Sequence, residues 1–433
     1  MEAIRGRISE QFGPEAGPTV AAALTAGLLV LACGDGSPGA DGAARGAAGP
    51  DGDVRPGIEV LLEDSLRLVS GRRAGLITNH TGVDRKRRSS IDRLAEHDSV
   101  SLVALYSPEH GIRGEAGAGE EVAGSRDPKT GLPIHSLYGE TRKPTPEMLD
   151  GVEVLLFDIQ DVGARYYTYV STMGLAMEAA AEQGIPFVVL DRPNPVGGRL
   201  VQGNVLDTAH ASFVGRYPVP MRHGMTVGEL ARLINDRHGV GADLDVVPAK
   251  GWSRDRWFDD TGLPWVAPSP NMKSLVTATH YPGTCLFEGT NLSVGRGTAR
   301  PFEQVGAPWL DADSLARALN GRGMPGVRFR AVRFTPEEPG DGKYGGREVR
   351  GVRFRVTDRR RYDPTRAAVA ALVEARRLAG DRWSWRQEHF DRLAGTERLR
   401  QMVEEGRSPR EITAPWSDQR EDFRGIRSEH LLY

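Results

Sequence analysis

The stretch VEVLLFDIQDVGARYYTYVSTMGLAMEAAAEQGIPFVVLDRP, residues 152–193, decides the fold. It opens on a nearly continuous apolar run that reaches Asp158 and closes on a second run that reaches Asp191 and Arg192. Between them, the apolar positions of residues 166–184 fall at helical spacing, and Gly184 stops the helix. Apolar runs without alternation belong to strands covered on both faces, and two of them joined through a helix make a parallel strand–helix–strand unit. Upstream, RAGLITN (73–79) and SLVALYS (101–107) are two more such runs, each ending in a polar or turn residue. Ligands of parallel sheets sit outside the carboxyl ends of the strands. Asn79-His80, Glu109-His110, Asp158 with Asp161, and Asp191-Arg192 all fall at those ends, which is more polarity than turns require.

Downstream, Thr226 and Glu229 form the capping-box pattern of a helix start, and DLDVVPAKGW reads as another strand. After the proline-rich crossing DDTGLPWVAPSPNM (259–272) the pattern changes. VRFRAVRFTPEE (327–338) and REVRGVRFRVTD (347–358) alternate, as antiparallel strands with one wet face do, and helices near 311–320 and 364–379 are expected to cover the other face. The fold class is α/β, with a largely parallel sheet in residues 57–262 and a mixed α/β domain in residues 263–433.

A chain of 433 residues has room for two domains, and its net charge of -2 gives no reason to expect nucleic acid. TVAAALTAGLLVLAC (19–33) has the length of a signal-peptide apolar region and is too short to span a bilayer. The Gly/Ala/Pro/Asp-rich residues after it can bury nothing. Residues 1–32 therefore read as a lipoprotein-like signal, Cys33 as the lipidated residue, and 33–56 as a flexible linker. The expected location is outside the cytoplasm, held to the membrane only by a lipid anchor. Cys285, the other cysteine, reads as a buried structural thiol.

Two motifs are dense in chemistry. LYSPEHGIRGE (105–115) places Glu109 and His110 in a turn that needs only its proline and glycine. YPGTCLFEGTNLSVGRGTARPF (281–302) spaces Glu288, Asn291, Arg296 and Arg300 along a glycine-rich loop. Neither a phosphate-binding loop nor a dinucleotide fingerprint is present. Two carboxylates facing one pocket, one protonated and one ionised, are what glycosidic bond cleavage needs, and Glu109 and Glu288 are the pair we place opposite each other. Asp158 and Asp161 invite a metal reading, but no third ligand follows at a suitable spacing; hydrogen bonding to sugar hydroxyls or orienting the acid suits them better. Tyr166 and Tyr167 offer ring faces to a sugar, or else pack as the start of the following helix. No metal or cofactor is expected.

YSPEHGIRGE, FDIQDVGARYYTYVSTM, VLDRPNPVGG, PMRHGMTVGELA, PSPNM, YPGTCLFEGTNLSVGRGT and the terminal LLY together resemble the DUF1343 family, over about residues 57–433. The resemblance implies a Rossmann-like domain, a second α/β domain and an active site in the cleft between them. It also implies an exo-β-N-acetylmuramidase, a glycoside hydrolase releasing N-acetylmuramic acid from the non-reducing end of peptidoglycan fragments such as muropeptides or disaccharides. The glutamate of S-P-E-H-G, here Glu109, becomes the candidate catalytic acid. Its partner is Glu288, with Asp158 or Asp161 or the substrate's own 2-acetamido group as alternatives, and with His110 beside the acid. The lactyl carboxylate of N-acetylmuramic acid calls for an arginine: Arg296 and Arg300 first, then Arg165 and Arg192, with Asn194 and Asn291 as further sugar contacts. The competing readings are a non-catalytic cell-wall-binding lipoprotein and an exported amide or phosphoester hydrolase using Asp158, Asp161 and His110.

Overall fold

The strands form where the apolar runs lie. The computed structural model describes residues 54–109, 111–113, 125–139 and 141–433; Cys33, the signal and nearly all of the linker, and His110 lie outside the described residues. Nine strands belong to the first half: β1 (Arg73–Thr78), β2 (Ser101–Ser107), β3 (Ser125–Arg126), β4 (Pro133–Ser136), β5 (Val154–Asp158), β6 (Phe187–Leu190), β7 (Gln202–Val205), β8 (Pro220–Arg222) and β9 (Leu244–Val247). Seven of them make one sheet in the order β3-β4-β2-β1-β5-β6-β9. Every pairing in it is parallel except that of the short edge strand β3 with β4.

Continuous apolarity follows from cover on both faces. Leu76, Leu156 and Val188 join one core with Ile58 and Leu61 of α1 (Gly57–Asp64) and Ile91 and Leu94 of α2 (Ser90–Ala95). Their sequence neighbours Ile77, Phe157 and Val189 join the other, with Met173 and Met177 of α3 (Tyr169–Glu182) and Leu230 and Ile234 of α4 (Val227–Arg237). Each such side chain, fully buried, contributes about 1.5–3 kcal/mol. The capping box of α4 forms as its sequence indicates, with Thr226 accepting from Glu229 and Glu229 accepting from Thr226. Helix α3 begins at Tyr169, three residues later than the spacing predicts, because Tyr166 and Tyr167 turn away from it. The Tyr166 hydroxyl donates to Pro282 O, and both rings meet Tyr281 edge-on.

The second half holds β10 (Gln304–Ala307), β11 (Val327–Phe334) and β12 (Val349–Val356) in a separate antiparallel sheet, ordered β10-β12-β11. Val327 pairs with Val356 and Phe329 with Phe354, while Arg328 and Arg330 between them face water. Helices α5 (Leu275–Thr284), α6 (Ala312–Gly321) and α7 (Pro364–Ala379) back this sheet, and α8 (Gln387–Ala394) follows. The motif of residues 281–302 is less of a loop than its glycines suggest. Tyr281–Thr284 close α5, and Cys285–Gly289 form a 3₁₀ turn. Its glycines serve close packing: a Cβ on Gly283 would collide with the backbone of Pro364, and one on Gly289 with Phe390. Among the described residues, no helix is long and apolar enough to cross a membrane.

Candidate active site

A cavity of about 470 Å³ brings Glu109 and Glu288 to one space, from opposite halves of the fold. Glu109 leaves the carboxyl end of β2 after Pro108, so the strand aims it over the sheet rim. Its Oε2 accepts from the Thr168 hydroxyl at 3.1 Å, at the start of α3. Tyr138 faces the same carboxylate; burial first, and then the charge of Glu109, raise the Tyr138 phenol.

Glu288 stands on the 3₁₀ turn and meets a different environment. Its Oε1 accepts from Arg296 Nε at 2.6 Å, and its Oε2 lies 3.6 Å from the Cys285 thiol. Burial pushes the Glu288 carboxyl up, but Arg296, with Lys343 and His389 behind it, outweighs burial and holds it below the usual range. Burial alone would weaken the Arg296 cation; Glu288 more than compensates and raises it. The cavity therefore holds one carboxylate kept ionised by a guanidinium and a second met by the hydroxyls of Thr168 and Tyr138.

Aromatic rings form another part of the wall. Tyr166, Tyr167, Tyr281 and Phe302 line it in an edge-to-face chain, with Tyr281 and Phe302 at 4.9 Å between centroids. Tyr166 and Tyr167 do not start α3 but precede it; they are buried and line the cavity. The Tyr167 hydroxyl is buried with no hydrogen-bond partner among the described residues. Cys285 lies on the wall as a free, buried thiol, raised by burial.

Several expected site residues lie elsewhere. Asp158 is buried beneath the rim, where Arg192 Nε and Nη2 reach its two oxygens at 2.6 and 2.9 Å and Ser90 Oγ donates to it. Arg192 is spent on that pair and on Val83 O. Asp161 is buried, accepting from Gly163 N at 2.6 Å. Asn194 joins Met225 O to Val196 N, and Asn291 donates to Arg382 O. Arg165, 4% exposed, donates to the carbonyls of Asn204, Val219, Leu393 and Ala394; burial lowers its pKa to about 10. Arg300 is half-exposed and pairs with Glu303. None of these seven residues lines the cavity.

Three cationic or titratable side chains on its wall went unpredicted: Arg142, Arg392 and His389. Arg142 lies with its Cζ 4.2 Å from the centre of the Phe213 ring. Arg392 and His389 project from α8, and burial lowers the His389 pKa against the pull of Glu288. A larger cavity of about 510 Å³ among the C-terminal helices is walled mainly by Leu206, Leu399, Met402, Ile412, Trp416 and Phe423 and has no facing carboxylate–arginine pair of this kind. Among the described residues, the only cluster with metal-ligand spacing is Asp236, Glu429 and His430, outside the cavity, where Arg237 already pairs with both carboxylates.

The chain is similar to known proteins over most of its length. Residues 74–276 match the family model described as exo-beta-N-acetylmuramidase NamZ, N-terminal, and residues 279–433 match its C-terminal counterpart. The chain is 47% identical over 381 residues to the peptidoglycan beta-N-acetylmuramidase NamZ of Bacillus subtilis (strain 168), covering 88% of this chain and 91% of that protein. It is similar in structure to a DUF1343 family protein of Bacteroides fragilis NCTC 9343 at a TM-score of 0.82 and 38% identity, over 88% of this chain and 99% of that one. A second DUF1343 family protein of the same strain gives a TM-score of 0.71 at 33% identity, again over 88% and 99%. The fold is thus shared with these structures, and the chain belongs to the NamZ family of exo-β-N-acetylmuramidases.

Proposed function

We propose that this chain releases N-acetylmuramic acid from the non-reducing end of peptidoglycan fragments, and that Glu109 is the general acid and Glu288 the ionised partner. One observation carries the reading: two carboxylates from opposite halves meet in one cavity, and Glu288 is held ionised by the Arg296 guanidinium. Glycosidic cleavage needs a proton for the leaving oxygen and a negative charge, or an activated water, for the anomeric carbon. Glu109, supported by hydroxyls, suits the first task, and Glu288 the second. Asp158 is held by Arg192 and Ser90 and Asp161 by Gly163 N, and neither lines the cavity, which favours Glu288 over them and the glycosidase reading over the amide or phosphoester hydrolase one.

The substrate's lactyl carboxylate needs a cation that is not already neutralised. Arg296 serves Glu288 and Arg300 stands outside, so the role passes to Arg142 and Arg392, which line the cavity and form no ion pair among the described residues. An exposed guanidinium can still bind a carboxylate bidentately. We extend the proposal to export and lipidation at Cys33, supported by the apolar run and soluble linker around it. Palmitate labelling that is lost in Cys33→Ala tests that part, and undiminished labelling of the variant refutes it.

The central test uses residues 54–433 with a chromogenic β-N-acetylmuraminide beside the matching β-N-acetylglucosaminide. Release from the muraminide is expected, with Glu109→Gln lowering kcat by about 10²–10⁴-fold. Unchanged turnover in Glu109→Gln would remove Glu109 as the acid. A folded protein that binds muropeptides and cleaves neither sugar would support the binding-protein reading.

A further inference from the structure

Lys343 lies on the connection between β11 and β12, outside the cavity, and its side chain is almost fully buried. Its ammonium donates to three backbone carbonyls: Phe287 O at 3.1 Å, Glu288 O at 3.1 Å and Leu292 O at 2.9 Å. These belong to the end of the 3₁₀ turn that carries Glu288 and to the segment just after it, and Phe287 O also accepts from the N and Oγ1 of Thr290. All three of its protons are therefore used, which is the condition for keeping an ammonium out of water.

The rest of the connection is tied to the same motif. The Tyr344 hydroxyl donates to Asn291 O at 2.7 Å, and Glu337 N donates to Gly297 O at 2.8 Å. Arg386, just before α8, completes the other edge: its N donates to Gly289 O at 2.8 Å and its Nη2 to Asp341 O. A side chain at Gly297 would strike the Glu337 backbone, so the two segments lie as close as glycine allows. The charges facing Lys343 are Asp341, with an oxygen at 3.8 Å, and Glu288 on the attractive side, and Arg296, Arg386 and His389 on the other.

We infer that Lys343 is a positioning residue: it fixes the turn that presents Glu288 to the cavity, so turnover depends on an ammonium that never touches the sugar. The inference rests on the proposed role of Glu288. Burial also lowers the Lys343 pKa to about 8. The ammonium is thus complete below that pH and is lost as pH rises through it, which gives kcat an alkaline limb.

The experiment compares Lys343→Met, Lys343→Arg, Tyr344→Phe and Glu288→Gln with the wild type, measuring kcat, KM, pH profile and Tm on the muraminide. Lys343→Met should lower kcat roughly 10- to 100-fold with little change in KM, as a displaced catalytic group does. Tyr344→Phe should lower kcat less, and Lys343→Arg, if folded, should regain part of the loss and move the alkaline limb upward. If Lys343→Met lowers Tm but keeps wild-type kcat below that Tm, the role is merely structural and the inference fails. If Lys343→Met does not fold, Tyr344→Phe decides: a lowered kcat at wild-type KM with unchanged circular dichroism supports the inference, and wild-type kcat overturns it. Wild-type kcat in Glu288→Gln would instead overturn the role of Glu288 itself.

Discussion

Asp158 and Glu109 stand at the carboxyl ends of two strands of one parallel sheet, and their fates differ. Asp158 ends β5, next to β1, at the point where the chain switches from building one side of the sheet to building the other. That is where open α/β sheets hold their ligands. Here the crevice is filled from within: Arg192 closes on both carboxylate oxygens, Ser90 adds a third bond, and Thr78 Oγ1 ties the Asp158 carbonyl to β1. Glu109, one strand beyond β1 on the other side, is left facing a cavity that the second half of the chain covers with Glu288, Arg296 and α8. The same topology thus yields a sealed polar network at the switch point and a working cavity beside it.

The strongest way to break this comparison is Asp158→Ala. It strands the buried Arg192 cation, and the loss should be about 3–5 kcal/mol in urea denaturation. Activity per folded molecule should persist; a variant of wild-type stability without turnover would return Asp158 to the chemistry. Next in size, Arg392→Gln and Arg142→Gln should raise KM for the muraminide by about 10- to 100-fold, equivalent to ~1.5–3 kcal/mol for a charged hydrogen bond. A substrate whose lactyl group is a methyl ester should not distinguish them from wild type. Equal losses on free acid and ester would separate these arginines from anion recognition. Smallest is Arg300→Ala, which removes an exposed pair with Glu303 and should change stability by less than about 0.5 kcal/mol and activity not at all. A KM effect there would place Arg300 at the substrate after all.

What the sequence revealed about the site follows the same division. The strands, the rim and the two dense motifs were legible because apolar runs and glycine spacing are local signals, and they led to Glu109, Glu288, Arg296, Tyr166 and Tyr167. The rim cluster misled at Asp158, Asp161 and Arg192, since a strand-end aspartate looks the same whether its partner is a sugar or an arginine 34 residues away. Arg165 and Asn194 misled likewise, their partners being backbone carbonyls of distant segments. Arg142, Arg392 and His389 carry no local mark at all. Each is a lone polar side chain on an exposed loop or on the wet side of an amphipathic helix, where such residues are ordinary. The docking of α8 beside residues 281–302 brings Arg392 and His389 to the cavity, and the packing of Arg142 on Phe213 brings it there; neither contact is visible in one dimension.

Arg165 has a bearing on how sugars come and go. Its buried guanidinium grips Asn204 and Val219 on one side and the last carbonyls of α8 on the other. A hinge between these segments would have to pull a bare cation off all four acceptors at once, an unfavourable first step for any breathing motion. The wall bearing Arg392 and His389 is consequently stiff, and the vessel exists before its guest arrives.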